Sequence, residues 1–283
     1  MNFTKNVSAA VLFLCAANLA RAAETFQPQI DNAFQHLYSQ DFAGADLILD
    51  KYIAQHSSDP LGYAVKGSSY LFMELDRLGI LESEFFESDK KISDDKKKLT
   101  LDPKLRSAFY QAVEKAQALS QGILNQHPDD PNALFSMCLS LGNQVDYMAL
   151  IDKKQIASLS VNKRAYRDAK HLIAVAPGFY DGYLTTGFTE YIVGSLPFIV
   201  RWLVKFDDVE GSKEQGVKIL QDVAQKGHYL KPFAKILLAT AYLREKKFNQ
   251  TQVLLEELTR EYPTNTLLQR ELVKVQAKTH ARG

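Results

Sequence analysis

The sequence predicts an all-α solenoid: about five helix pairs closed by a C-terminal capping helix. Three observations carry this. Glycine and proline are few (14 and 9 in 283 residues) and charges are scattered, which favours helices over a turn-rich β protein. Breakers recur in one layout, "HSSDPLGY" (56–63) and "HPDDPNAL" (127–134), each placing Asp as N-cap and Pro at the first helical position. There the carboxylate caps free amides and the missing proline N–H is no loss. Small residues also return in two columns under one frame, which lets paired helices approach closely.

In chain order, "MNFTKN" carries Lys5, the apolar run "VSAAVLFLCAANLA" follows, and Ala20-Arg21-Ala22 supplies a small-residue exit. Residues 1–22 therefore read as a secretory signal peptide cleaved near Ala22, which implies a periplasmic or secreted protein. No small residue directly precedes Cys15, so lipidation is disfavoured. Cleavage removes Lys5 and Arg21 and no acid, so the net charge of +1 becomes −1. A near-neutral chain has no general attraction to nucleic acid. One cysteine, Cys138, remains, so no internal disulfide supports the fold.

Residues 23–283 form the repeat domain. Its last full unit, "PFAKILLATAYLREKKFNQTQVLLEELTREYP" (232–263), resembles a tetratricopeptide repeat, a helix–turn–helix of 34 residues. The family's small, Tyr, aromatic, small and Pro positions fall on Ala239, Tyr242, Phe248, Thr251 and Pro263. Carried along the chain, the eighth position falls on Ala33, Gly67, Cys138, Gly187 and Ala239. The twentieth falls on Ala45, Ala116, Ala165, Gly216 (shifted by one) and Thr251. First helices are expected to begin near residues 26, 60, 131, 179 and 231, with a cap over 266–279. The resemblance implies a right-handed solenoid. Within this frame Cys138 is a small packing residue, and His36, at the family's usual Tyr position, is a packed histidine.

The first and fifth repeats are regular, whereas the central three lengthen the connection between their two helices, at about 71–102, 142–156 and 194–211. The alternative is that the helices themselves run longer there. The first of these holds the mixed charge run "ESDKKISDDKKK" (87–98), read as a solvated loop. After it, Asp102-Pro103 starts the next helix.

The third holds "GSLPFIVRWLVKFDDVEG" (194–211), too short an apolar run to span a bilayer. Arg201 and Lys205 share one helical face opposite Phe198, Trp202 and Phe206. The stretch reads as a connecting helix folded against the solenoid, a docking element for a partner protein, or a membrane-surface helix. Ser212 with Gln215 marks a new helix start. Residues 194–220 also resemble a segment of the eukaryotic tetratricopeptide family related to inclusion-body clearance and lipid handling. The matching residues are Leu196, Pro197, Leu203, Lys205, Phe206, Gly211, Gly216 and Leu220, and they imply a shared insertion more than a shared activity.

The six histidines lack metal-site spacing, no C-x-x-C exists, and no nucleophile elbow or phosphate loop occurs. No enzyme chemistry, metal or cofactor is expected. The expected function is a scaffold that binds a protein or peptide through the concave surface of the first helices. Candidate contacts are Tyr63, Tyr70, Tyr183, Glu190, Tyr191 and Tyr242, with Arg201, Trp202 and Lys205 from the insertion. The alternative is a peripheral membrane or lipid-handling module using residues 196–206.

Overall fold

The computed structural model describes residues 26–81, 100–196 and 209–280. Residues 1–22, expected to be a signal peptide, the 87–98 charge run and the Trp202 segment lie outside them. Among the described residues there are eleven α-helices and no strand. They are α1 Pro28–Tyr38, α2 Phe42–Gln55, α3 Pro60–Arg77, α4 Pro103–Leu124, α5 Pro131–Asp146, α6 Gln155–Val175, α7 Tyr183–Ser195, α8 Lys213–Lys226, α9 Lys231–Arg244, α10 Phe248–Glu261 and α11 Thr266–His280. Each packs on its neighbours in chain order, α1 on α2, α3 on α4 and so on, with α11 against α10. Among the described residues no helix is long and apolar enough to cross a membrane.

The helix starts follow from local chemistry. Asp59, Asp102 and Asp130 accept amides of the first turns of α3, α4 and α5, each ahead of a proline. Ser212 accepts the Gln215 amide at 3.2 Å and opens α8. Amides of Leu105 and Lys104 hold the Asp102 carboxyl below the ordinary aspartate range, and the Gly44 amide with His36 does the same for Asp41 at the start of α2.

One turn recurs between pairs. In 56–59, 127–130, 176–179 and 262–265 the first residue donates its amide to the carbonyl four residues back, and the last donates to the first. A second turn recurs within pairs. After α1, α3 and α9 the chain passes through a left-handed residue, Gln40 (φ 60°), Gly79 (φ 71°) and Lys246 (φ 59°). The flanking backbone bonds have the same pattern at all three. The 142–156 connection is mostly helix: α5 runs on to Asp146, a π-turn follows over Tyr147–Ile151, and α6 begins at Gln155.

The two small columns meet. Cys138 Sγ lies 3.9 Å from the Ala165 carbonyl oxygen, and Thr251 Oγ1 donates to the Ala239 carbonyl at 3.4 Å. Burial pushes the Cys138 thiol up, which suits a packing role. Gly187 and Gly216 make the closest crossing. A Cβ at Gly216 would sit 2.5 Å from the Tyr191 amide nitrogen and 2.7 Å from the Gly187 carbonyl oxygen.

The array also closes on itself. Asp181, in the short turn before α7, accepts the amides of His228, Tyr229 and Leu230 ahead of α9. Tyr229 then receives α1: its hydroxyl accepts the Gln27 amide at 2.8 Å and its carbonyl accepts the Tyr38 hydroxyl at 2.9 Å. Asn265 Nδ2 donates to the Tyr38 carbonyl at 2.7 Å, and His228 pairs with Asp31 at 2.5 Å. Phe26, Phe34, Phe135, Phe179 and Tyr262 pack around this junction in one aromatic hub. The main core runs continuously from Ile30 to Val275.

Two glycines give opposite expectations. Because Gly216 faces backbone that cannot swing aside, Gly216→Ala is expected to cost about 3 kcal/mol. Gly142, in the interior of α5, has nothing within 4 Å of where a Cβ would stand. Gly142→Ala is expected to stabilise by about 0.5–1 kcal/mol. Thermal melts of the two variants check both, and a neutral Gly216→Ala would break the close-crossing account.

Candidate functional site

Each first helix packs on its own partner and on adjoining helices, which leaves an inner side. On α5 that side is fixed by spacing. Phe135, Leu139, Gly142 and Asp146 follow one another at intervals of four, three and four residues, so they form one stripe. Phe135 meets Phe179 at 4.9 Å and Tyr229 at 6.0 Å between ring centroids, so the stripe starts at the hub and runs outward. On α7 the matching stripe is Leu184, Phe188 and Ile192; on α9 it is Phe233, Leu237 and Thr240. Phe72 of α3 touches Phe233 edge-on at 5.7 Å. Leu139, Phe188, Phe233 and Leu237 are half-buried against the hub core, while Ile192 is 37% exposed. The hub fills the inner side at one end, and a half-exposed apolar face remains beyond it.

The residues expected from sequence are placed differently from one another. Tyr63 and Tyr183, equivalent in the repeat, each donate a hydroxyl to the carbonyl six residues back, Ser57 at 3.3 Å and Pro177 at 3.1 Å. Tyr70 is half-buried with the Lys66 ammonium 5.5 Å from its ring centroid. Tyr242 is buried and its hydroxyl accepts from Gln221 Nε2 at 2.8 Å. Tyr191 is buried at the α7–α8 crossing. Glu190 is 4% exposed and serves the returning chain: it accepts the amides of Gly211 (2.7 Å), Ser212 (3.2 Å) and Glu210 (3.3 Å) and the Tyr166 hydroxyl. The buried three, Glu190, Tyr191 and Tyr242, have little surface to offer a partner, because the repeat's own packing consumes those positions. Arg201, Trp202 and Lys205 lie outside the described residues, as does the 196–206 run beyond Leu196. His36 pairs with Asp41 at 2.7 Å rather than entering the core.

Sequence reasoning missed Asp146. It is half-buried at the outer end of the α5 stripe, and among the described residues it accepts no hydrogen bond and meets no cation. On the neighbouring elements Glu74 pairs with Arg77, Asp152 with Arg106 and Lys154, and Asp168 with Arg164. Neither these nor Lys153, in the turn after α5, offset the loss of water around Asp146. Burial alone pushes its carboxyl up to about 7. The available signal was an acid in register with Phe135 and Leu139 on an otherwise apolar face. Among the described residues no group of three His, Cys, Asp or Glu side chains is placed to hold a metal ion.

An acid with a raised folded-state value destabilises the fold once the unfolded chain ionises. The penalty is absent below about pH 4, grows as pH rises and is complete above about pH 7. Asp146→Asn should therefore raise the melting temperature at pH 8 and leave it unchanged at pH 4. An equal shift at both values would contradict the burial account. No family model matches the chain, and neither a curated protein nor a solved structure matches it.

Proposed function

We propose that the protein is a non-catalytic, exported scaffold of right-handed tetratricopeptide-like helix pairs, which holds a protein or peptide segment against the inner side of its first helices. One observation carries the reading. Partly buried apolar residues (Phe72, Leu139, Phe188, Phe233) recur on α3, α5, α7 and α9, and Ile192 on the same stripe of α7 is exposed. Contiguous apolar surface of this kind is retained where a partner covers it. Gly142 supports it further, since a side chain is missing where open space lies over the face. The buried carboxylates Glu190 and Asp181 are spent on backbone amides.

The test uses two glycines with equally open surroundings. Gly142 lies on the inner face and Gly122 on the exposed side of α4. Peptides selected from a random phage library on immobilised residues 23–283 should be rich in apolar residues. They should lose binding to Gly142→Phe and keep it to Gly122→Phe. Selected peptides that bind both variants equally would place the interaction elsewhere and sink the proposal.

A further inference from the structure

We infer that the segment this face accepts is amphipathic and basic, with its apolar side on Leu139, Phe188 and Ile192 and a lysine or arginine directed at Asp146. The inference rests on the scaffold reading of that same face and names the chemistry of its occupant.

The geometry behind it is the α5 stripe. Phe135 closes the inner end in the hub, Leu139 offers partly buried apolar surface, Gly142 has no described atom near where a Cβ would stand, and Asp146 stands at the far end without a partner among the described residues. A long cationic side chain lying along this stripe would place its methylene stem on Leu139 and over Gly142, with its charged head at the carboxylate. An acidic occupant would meet Asp146 as a like charge in desolvated surroundings, where repulsion is strong. A neutral occupant would cover the carboxylate and leave it unpaired, which costs more than leaving it open. Glu74, Asp152 and Asp168 each have a cation, whereas among the described residues Asp146 has none.

The arrangement also sets a pH dependence. In the free protein the Asp146 carboxyl ionises near pH 7, and a cation selects the ionised form. Apparent affinity then scales with the ionised fraction, about tenfold greater at pH 8 than at pH 6. The elements packed on α5 carry Lys66, Glu74, Asp76 and Arg77 (α3), Lys104, Arg106, Glu114 and Lys115 (α4), and Lys163, Arg164, Arg167, Asp168, Lys170 and His171 (α6), with Asp152, Lys153 and Lys154 in the turn between α5 and α6. His171 is paired with Asp129.

The experiment is fluorescence anisotropy with a labelled 18-residue Leu–Lys amphipathic peptide and its Leu–Glu counterpart, using residues 23–283 at pH 6 and pH 8. The Leu–Lys peptide should bind about tenfold more tightly at pH 8, and at least about tenfold more tightly than the Leu–Glu peptide. Asp146→Asn should lose about tenfold at pH 8 and flatten the pH response, whereas Asp146→Glu should keep both; melting curves confirm that each variant is folded. Equal affinity of wild type and Asp146→Asn, or of the two peptides, overturns this inference while leaving the apolar-face reading intact. Binding unaffected by Gly142→Phe, or no binding by either peptide, overturns the apolar-face reading and this inference with it.

Discussion

The closure of this helical array on itself depends on the buried carboxylate of Asp181. Only 2% exposed, it takes the amides of three consecutive residues, His228 to Leu230, at 2.9–3.2 Å. Without it, those amides would be buried and unpaired at about 1–3 kcal/mol each, a large share of a typical domain's stability. The bonds hold the turn ahead of α9 and so aim Tyr229 into the hub. Through Tyr229 the effect reaches Tyr38 of α1, and through Tyr38 it reaches Asn265 ahead of α11. Four polar residues thus tie together the first, fourth and fifth helix pairs and the cap.

A simple repeat array needs contacts only between neighbours, and its stability is roughly a sum over units. This one adds bonds that bridge about two hundred residues of chain, 191 between Tyr38 and Tyr229 and 227 between Tyr38 and Asn265. Among the described residues the aromatic rings of the hub fill the inner side at one end, and the outer turns of the first helices lie beyond it. Asp146 sits on those turns, far enough from the paired charges that desolvation alone governs it. Its surroundings contrast with those of Asp181: burial raises both carboxyls, but Asp181 is given amides and Asp146, among the described residues, is given none.

Much of the helical scaffold was legible. Asp and Pro at helix starts act through their own backbone neighbours, so "DPL", "DPK" and "DPN" mark α3, α4 and α5 at the right residue. The small columns were legible too, because a close helix crossing tolerates nothing larger at Gly187 and Gly216. The candidate contacts were harder. Tyr63 and Tyr183 occupy equivalent positions for a local reason, a hydroxyl reaching the preceding turn. Glu190 looked like a free acid because the amides it accepts belong to residues 210–212, beyond a long insertion. A repeat frame tells which residues are equivalent without telling which of them a distant segment will cover.

The sequence by itself determined the helices and their packing in chain order, since caps, breakers and helical periodicity act within a few residues or between adjacent helices. Tertiary structure alone decided that α1 meets the turn ahead of α9, that Glu190 is an anchor, and that Asp146 has no partner among the described residues. Each of these depends on residues far apart in the chain. Whether a carboxylate is satisfied or stranded is set by which backbone amides and side chains the fold brings within about 3 Å of it.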